Sequence, residues 1–158
     1  MVGGVLLACL AACETPGGLV ASAEGETRDR VTASDESATA KRARVRLELA
    51  TAYFARGQLT TALDEVKQAI AVNPNMPEAY NLRGLIYAGM GELALAEDSY
   101  RRALQLNPRD GDTMHNFGWF YCQQRRYDES ERMFAQALDQ PQYTGGARTL
   151  LARGVCQA

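Results

Sequence analysis

Two Asn-Pro pairs, Asn73-Pro74 and Asn107-Pro108, stand 34 residues apart, and the chain around them repeats at that interval. The stretches "ELATAYFARGQLTTALDEVKQAIAVNP" (48–74), "NLRGLIYAGMGELALAEDSYRRALQLNP" (81–108) and "NFGWFYCQQRRYDESERMFAQALDQP" (116–141) align in residue character. A short unit of this kind cannot bury its apolar face alone. It does so by stacking on its neighbours, which restricts the fold to a solenoid. With each proline set near the thirty-second place, repeats begin at Ala43, Pro77 and Gly111. The eighth place is then Ala50, Gly84 and Gly118, and the eleventh is Tyr53, Tyr87 and Tyr121. The twentieth is Ala62, Ala96 and Ser130, the twenty-fourth Val66, Tyr100 and Phe134, and the twenty-seventh Ala69, Ala103 and Ala137.

Each of these types has a packing reason. Small residues at places eight and twenty let two helices approach closely. The aromatic at place eleven and the bulky residue at place twenty-four fill the space between repeats. The proline ends the second helix and starts the turn to the next repeat. Gly57 and Gly91 occupy place fifteen, where a helix ends in a left-handed residue. Arg125 stands there in the third repeat, so a looser turn is expected. The 34-residue period and these types resemble the tetratricopeptide (TPR) family. The expected fold is all-α: a helical-hairpin solenoid of three full repeats (43–76, 77–110, 111–144) plus a partial repeat (145–158). The half repeat, with Leu151 and Ala152 at places seven and eight, reads either as a cap or, the favoured alternative, as truncation of a longer protein.

The segment before the repeats has a different chemistry. Residues 1–12 (MVGGVLLACLAA) are apolar and small, and residues 14–40 are rich in Gly, Ser, Thr, Ala and charge. The first run falls short of the ~20 residues a membrane-spanning helix needs. The second cannot bury enough apolar surface to fold, so residues 13–40 read as a disordered tether, with the helical pattern beginning at about Lys41. Leu10-Ala11-Ala12-Cys13 has the form of a lipoprotein processing box. Small residues let the peptidase close over the scissile bond, and the Cys13 thiol carries the lipid. Residues 1–12 are therefore expected to be removed and Cys13 lipidated. No Lys or Arg precedes Arg28, so a start upstream of this sequence is expected. Glu14, where an aspartate would signal inner-membrane retention, points to the outer membrane.

Composition narrows the function. The net charge of −2 argues against nucleic-acid binding, which needs a basic excess. The single histidine leaves little for catalysis or metal binding. His115 and Cys122 are seven residues apart on one helix, about 10.5 Å, too far for a nucleophile–base pair. One histidine and two cysteines lack a fourth metal ligand. The chain is read as no enzyme, with no catalytic residue, metal, cofactor or small-molecule substrate. Cys122 and Cys156 share place twelve of adjacent first helices. They are expected to be neighbours, either joined in a disulfide across repeats three and four or packed as small apolar residues. First helices line the concave face of such a superhelix. That assigns Arg44, Leu47, Thr51 and Phe54, then Asn81 and Leu85, then His115, Trp119 and Gln123 to a partner-binding groove. Leu47, Phe54, Leu85 and Trp119 would form an apolar strip, suited to an extended peptide rather than a highly charged tail.

Lipobox, linker and repeats together resemble the type IV pilus biogenesis/stability lipoproteins, the pilotins of the pilus secretin. The stretches that carry this are "ALDEVKQAIAVNPNMPEAYNLRGLIY" (62–87), "LAEDSYRRALQLNPRD" (95–110) and, most specifically, "MHNFGWFYCQQRRYDESERMFAQAL" (114–138). The resemblance covers residues 13–158. It implies an adaptor of about six repeats, of which this chain holds the front portion, lipid-anchored to the periplasmic face of the outer membrane. It also implies a secretin subunit as partner and a role in secretin assembly. Two other readings are a general periplasmic TPR lipoprotein of the cell envelope and a cytosolic co-chaperone for acidic C-terminal peptides. The last needs a basic clamp, and Glu78 and Asp112 fall in the expected groove.

Overall fold

The computed structural model describes residues 36–157. The segment expected to be removed (1–12), the expected lipidation site Cys13 and the expected tether up to residue 35 lie outside the described residues. Among the described residues the chain forms seven helices: α1 (Ala38–Ala55), α2 (Leu59–Val72), α3 (Pro77–Met90), α4 (Leu93–Leu106), α5 (Gly111–Gln123), α6 (Tyr127–Leu138) and α7 (Gly146–Gln157). They pair as three hairpins, with α7 packed against α5 and α6. No helix of these is long and apolar enough to cross a membrane.

The first helix starts earlier than its composition suggests. The tether was expected to run to residue 40, but α1 begins at Ala38, where the Ser37 hydroxyl accepts a bond from the Ala40 amide at 3.1 Å. An Ala-rich turn behind a serine cap forms helix without apolar periodicity to announce it.

Each hairpin closes by the same device. The amides of Gly57 and Gln58 donate to the carbonyls of Phe54 and Tyr53 (2.9 and 3.0 Å), a Schellman end that requires a left-handed residue at Gly57. Gly91 and Glu92 repeat it on Ala88 and Tyr87 (3.1 and 2.9 Å). The third turn was expected to be looser and is not. Arg125 adopts φ 60°, and the amides of Arg125 and Arg126 bond Cys122 and Tyr121 at 2.9 and 3.0 Å. Packing of α5 on α6 imposes the turn despite the strain of a side chain in that region.

The core is built from small residues facing large ones. A Cβ on Gly84 would lie 2.7 Å from the buried Tyr100 ring, and one on Gly118 would lie 2.8 Å from Phe134. Ala50 and Val66 share the first cluster with Ala62, Leu63, Ala79, Leu82 and Ile86. Tyr100 anchors the second, stacked on Phe117 with centroids 5.1 Å apart, and Phe117 stacks on Tyr121 at 4.2 Å. Glu97 fastens this cluster to the next hairpin, accepting from Arg126 at 2.7 Å and from the Tyr121 hydroxyl at 3.1 Å. Burial pushes the Glu97 carboxyl up, but bonds from Arg126, Arg101 and Tyr121 outweigh it and hold the group below its ordinary value. Burial likewise pushes the Tyr121 phenol up to about 12, aided by the Glu97 charge.

The connections between hairpins are not all alike. α2 and α4 end at Asn73 and Asn107, each extended before its proline, with Oδ1 accepting from the amide two residues on (3.1 and 3.2 Å). In the third repeat the proline comes one place earlier, at Pro141, and α6 stops at Leu138. The link to α7 is residues 139–145, against 73–76 and 107–110 before it.

Two substitutions of opposite sign test this packing. Gly84→Ala drives a methyl into a ring that cannot retreat and is expected to cost about 1–3 kcal/mol. Arg125→Gly relieves the left-handed strain and is expected to add about 1 kcal/mol. Both are read by urea unfolding of the purified chain.

Candidate functional site

The expected groove residues fall into two groups. On α1, Arg44 pairs with Glu36 (3.1 Å) and Glu48 (2.6 Å) on the exposed surface. Thr51 donates to the Leu47 carbonyl at 2.9 Å. Leu47 and Phe54 are half-buried against the first core cluster, so most of this end of the expected strip serves packing.

The second group converges. Leu85, His115, Trp119 and Gln123 line one cleft of about 270 Å³ together with Ala88, Gly89, Tyr100, Asn116 and Phe120. No charged side chain lines it. Trp119 stands in its wall, 37% exposed, while its neighbours Phe120 and Tyr121 are buried. Asn116 Nδ2 donates to Asn81 Oδ1 at 3.1 Å, joining α5 to α3 beside the cleft. The apolar floor gives affinity without directionality, and the amides of Asn81, Asn116 and Gln123 can hydrogen-bond a polypeptide backbone.

The next first helix along the stack is α7, and it does not dock as the other first helices do. α3 buries Ala79, Leu82 and Ile86, at places three, six and ten, against the preceding hairpin. The same places in α7 are Ala147, Leu150 and Gly154, all exposed. Instead Thr149 is buried, with Ala152, Arg153 and Cys156 half-buried along the same stripe. In α5 the sixth place meets the fifth place of α3. In α7 the fifth place meets the fifth place of α5. α7 therefore presents a different stripe to its neighbours than α3 does.

Side-chain contacts hold α7 against both α5 and α6. Cys122 and Cys156 are joined in a disulfide, their Cα atoms 5.8 Å apart, within the usual span of such bridges. His115 Nδ1 lies 2.8 Å from Thr149 Oγ, which also meets the Tyr143 hydroxyl at 2.6 Å. Arg153 pairs with Glu131 on α6, its Nε donating at 2.8 Å. Arg148 pairs with Asp112, which neutralises both at the groove margin. His115 is held below its ordinary histidine value, by burial first and then by the Arg148 charge, with Asp112 opposing.

Tyr143, Arg148 and Thr149 were not among the expected site residues. Tyr143 packs where Gly111 and Gly145 leave room: a Cβ on either would come within 2.6 and 2.5 Å of it. The sequence signal for this anchor was the early Pro141 followed by Gly145-Gly146.

Family models described as TPR repeat and tetratricopeptide repeat match residues 50–91, 77–110 and 111–139, together more than half of the chain. The chain belongs to the tetratricopeptide repeat family. No curated protein sequence matches this TPR chain. Among solved structures it is similar to PilF of Pseudomonas aeruginosa (22% identity, TM-score 0.73, 77% of this chain and 55% of that one). It is also similar to PilW, described as a widely conserved type IV pilus biogenesis factor (28% identity, TM-score 0.69, 73% and 53%). The chain thus spans about half the length of these two pilus proteins. A third similar structure is the first TPR domain of RPAP3 bound to the HSP90 peptide SRMEEVD (19%, TM-score 0.64, 75% and 94%).

Two measurements probe the docking of α7. Reduction, or Cys156→Ser, is expected to destabilise the chain by about 2–4 kcal/mol, read as a lower denaturant midpoint relative to the oxidised chain. The unfolded chain takes up the His115 proton before the folded one does. Stability is therefore level above the unfolded value of about 6.5 and is lost as pH falls below it. The thermal midpoint should drop between pH 7 and pH 5, and the drop should be smaller in His115→Gln.

Proposed function

We propose that this TPR chain is a lipid-anchored adaptor of the outer membrane that binds a subunit of the type IV pilus secretin and promotes its localisation and multimer assembly. The observation that carries the reading is the likeness to PilW, 28% identical over 73% of the chain. Lipid at Cys13 would hold the protein at the periplasmic face of the membrane. The residues from there to the first helix would give reach, a span of roughly 25–30 Å for a flexible coil of that length. The cleft around Trp119 would take up a segment of the secretin subunit by apolar contact and backbone hydrogen bonds.

The groove chemistry weighs against an acidic ligand such as the SRMEEVD peptide of the RPAP3 complex. Such a ligand needs free cations in the groove, and here Arg44 is occupied by Glu36 and Glu48, and Arg148 by Asp112.

Gene deletion tests the pilus role. Loss of secretin multimers from the outer membrane and loss of twitching motility are expected, both restored by the wild-type gene. A Cys13→Ser gene should restore neither fully, and the protein should leave the membrane fraction. Intact multimers and motility in the deletion strain would refute the secretin reading. It would leave a general envelope scaffold if an acyl mass is found on Cys13.

A further inference from the structure

Place twelve is where one first helix meets the next, and each meeting is made differently. In α1 the residue is Phe54, which packs on the first core cluster with Leu82 and Ile86 of α3. In α5 it is Cys122, bonded to Cys156 of α7. In α3 it is Ala88, followed by Gly89. These two carry too little side chain to reach α5, and the cleft of about 270 Å³ lies beside them. Leu85, Tyr100, Trp119 and Phe120 complete its apolar surface. It lies inside the stack, between the α3–α4 and α5–α6 hairpins.

We infer that this gap takes one aromatic side chain from an extended, uncharged segment of a partner protein, in the role that Phe54 plays one hairpin earlier. This rests on the groove-binding part of the proposed function and specifies its ligand. A dry cavity of about 150 Å³ holds a benzene ring, so a cleft of about 270 Å³ has room for a phenylalanine side chain. Tyr100, Trp119 and Phe120 offer ring faces and edges, which favour an aromatic guest over an aliphatic one. None of the described lining residues is an Asp, Glu, Lys or Arg. Burial, and then the Arg148 charge, hold the lining His115 below its ordinary value, so it is neutral at pH 7. A charged guest would lose its water there and find no opposite charge. The backbone of the segment has partners of its own. The bond from Asn116 Nδ2 to Asn81 leaves Asn116 Oδ1 to accept from a backbone N–H, and the exposed Gln123 carboxamide can donate to a carbonyl. A helical ligand bonds its backbone groups internally and would leave both amides unused. An extended chain uses them.

Trp119 is the only tryptophan of the chain and lines the cleft, so its fluorescence reports occupancy directly. The probes are end-capped host peptides of Gly, Ser and Thr with one central Phe, Leu, Ala or Glu. They are titrated into the oxidised full chain. The Phe peptide is expected to bind about tenfold tighter than the Ala peptide and more tightly than the Leu peptide, with the Glu peptide no tighter than the Ala one. Ala88→Phe gives α3 the residue that α1 carries at this place. It should fill the gap and remove the preference for Phe over Ala, with the circular dichroism of the chain unchanged. If that variant does not fold, the order of the peptides on the wild-type chain decides. Gln123→Ala, at an exposed position, should weaken the Phe and Leu peptides by the same factor, about fivefold. Equal affinity of the Phe and Ala peptides, absence of binding, or tighter binding of the Glu peptide would each overturn the inference. So would a folded Ala88→Phe chain that still prefers Phe, or no effect of Gln123→Ala. None of these results bears on secretin multimers in the deletion strain, so this inference and the pilus role fail separately.

Discussion

The close approach of a small residue to a large one, Gly84 on Tyr100 and Gly118 on Phe134, is the contact on which the rest of the molecule depends. It sets the distance between the two helices of a hairpin. That distance fixes where the first helices lie relative to one another, and hence the width of the surface they share. A methyl group at either glycine would part the hairpin and, with it, the cleft that Tyr100 floors and Trp119 walls. Packing in a repeat protein is transmitted only to neighbours, so each hairpin carries its own copy of this constraint. The Glu97–Arg126–Tyr121 cluster then ties the second hairpin to the third.

Much of this was legible in the sequence because a solenoid's core is periodic. Places eight, eleven, twenty and twenty-four could be read from residue size alone, and the structure buries Ala50, Gly84, Gly118, Ala62, Ala96 and Ser130 as those places require. What periodicity could not show is where one repeat departs from the average. Arg125 has the wrong residue type for a left-handed turn, yet neighbouring packing imposes that turn. α1 begins at Ala38 because a cap and three helix-forming residues suffice, with no apolar stripe to reveal them. The third link is longer because α6 stops at Leu138, two places early, and α7 begins at Gly146, one place late, a shift easily absorbed into an approximate alignment.

That small shift sets α7 apart. A longer link leaves α7 free of the register that a short turn would impose. The Cys122–Cys156 pair and the Thr149–His115 contact hold it against α5. Of the groove list drawn from the consensus, His115, Trp119 and Gln123 of α5 and Leu85 of α3 line one cleft. The list omits Tyr100, Asn116 and Phe120, which line the same cleft. Arg44, Leu47, Thr51 and Phe54 follow the consensus but do not line this cleft, two of them being drawn into the core.

The docking of α7 is where the structure departs furthest from its own repeat, and proton–proton contacts in solution measure it directly. In the oxidised chain, the Thr149 side chain should give strong nuclear Overhauser contacts to the His115 and Tyr143 rings, and Leu150 should give none to α6. Contacts from Leu150 to the α6 core, with Thr149 open to solvent, would mean that α7 docks as α3 does and would contradict this packing.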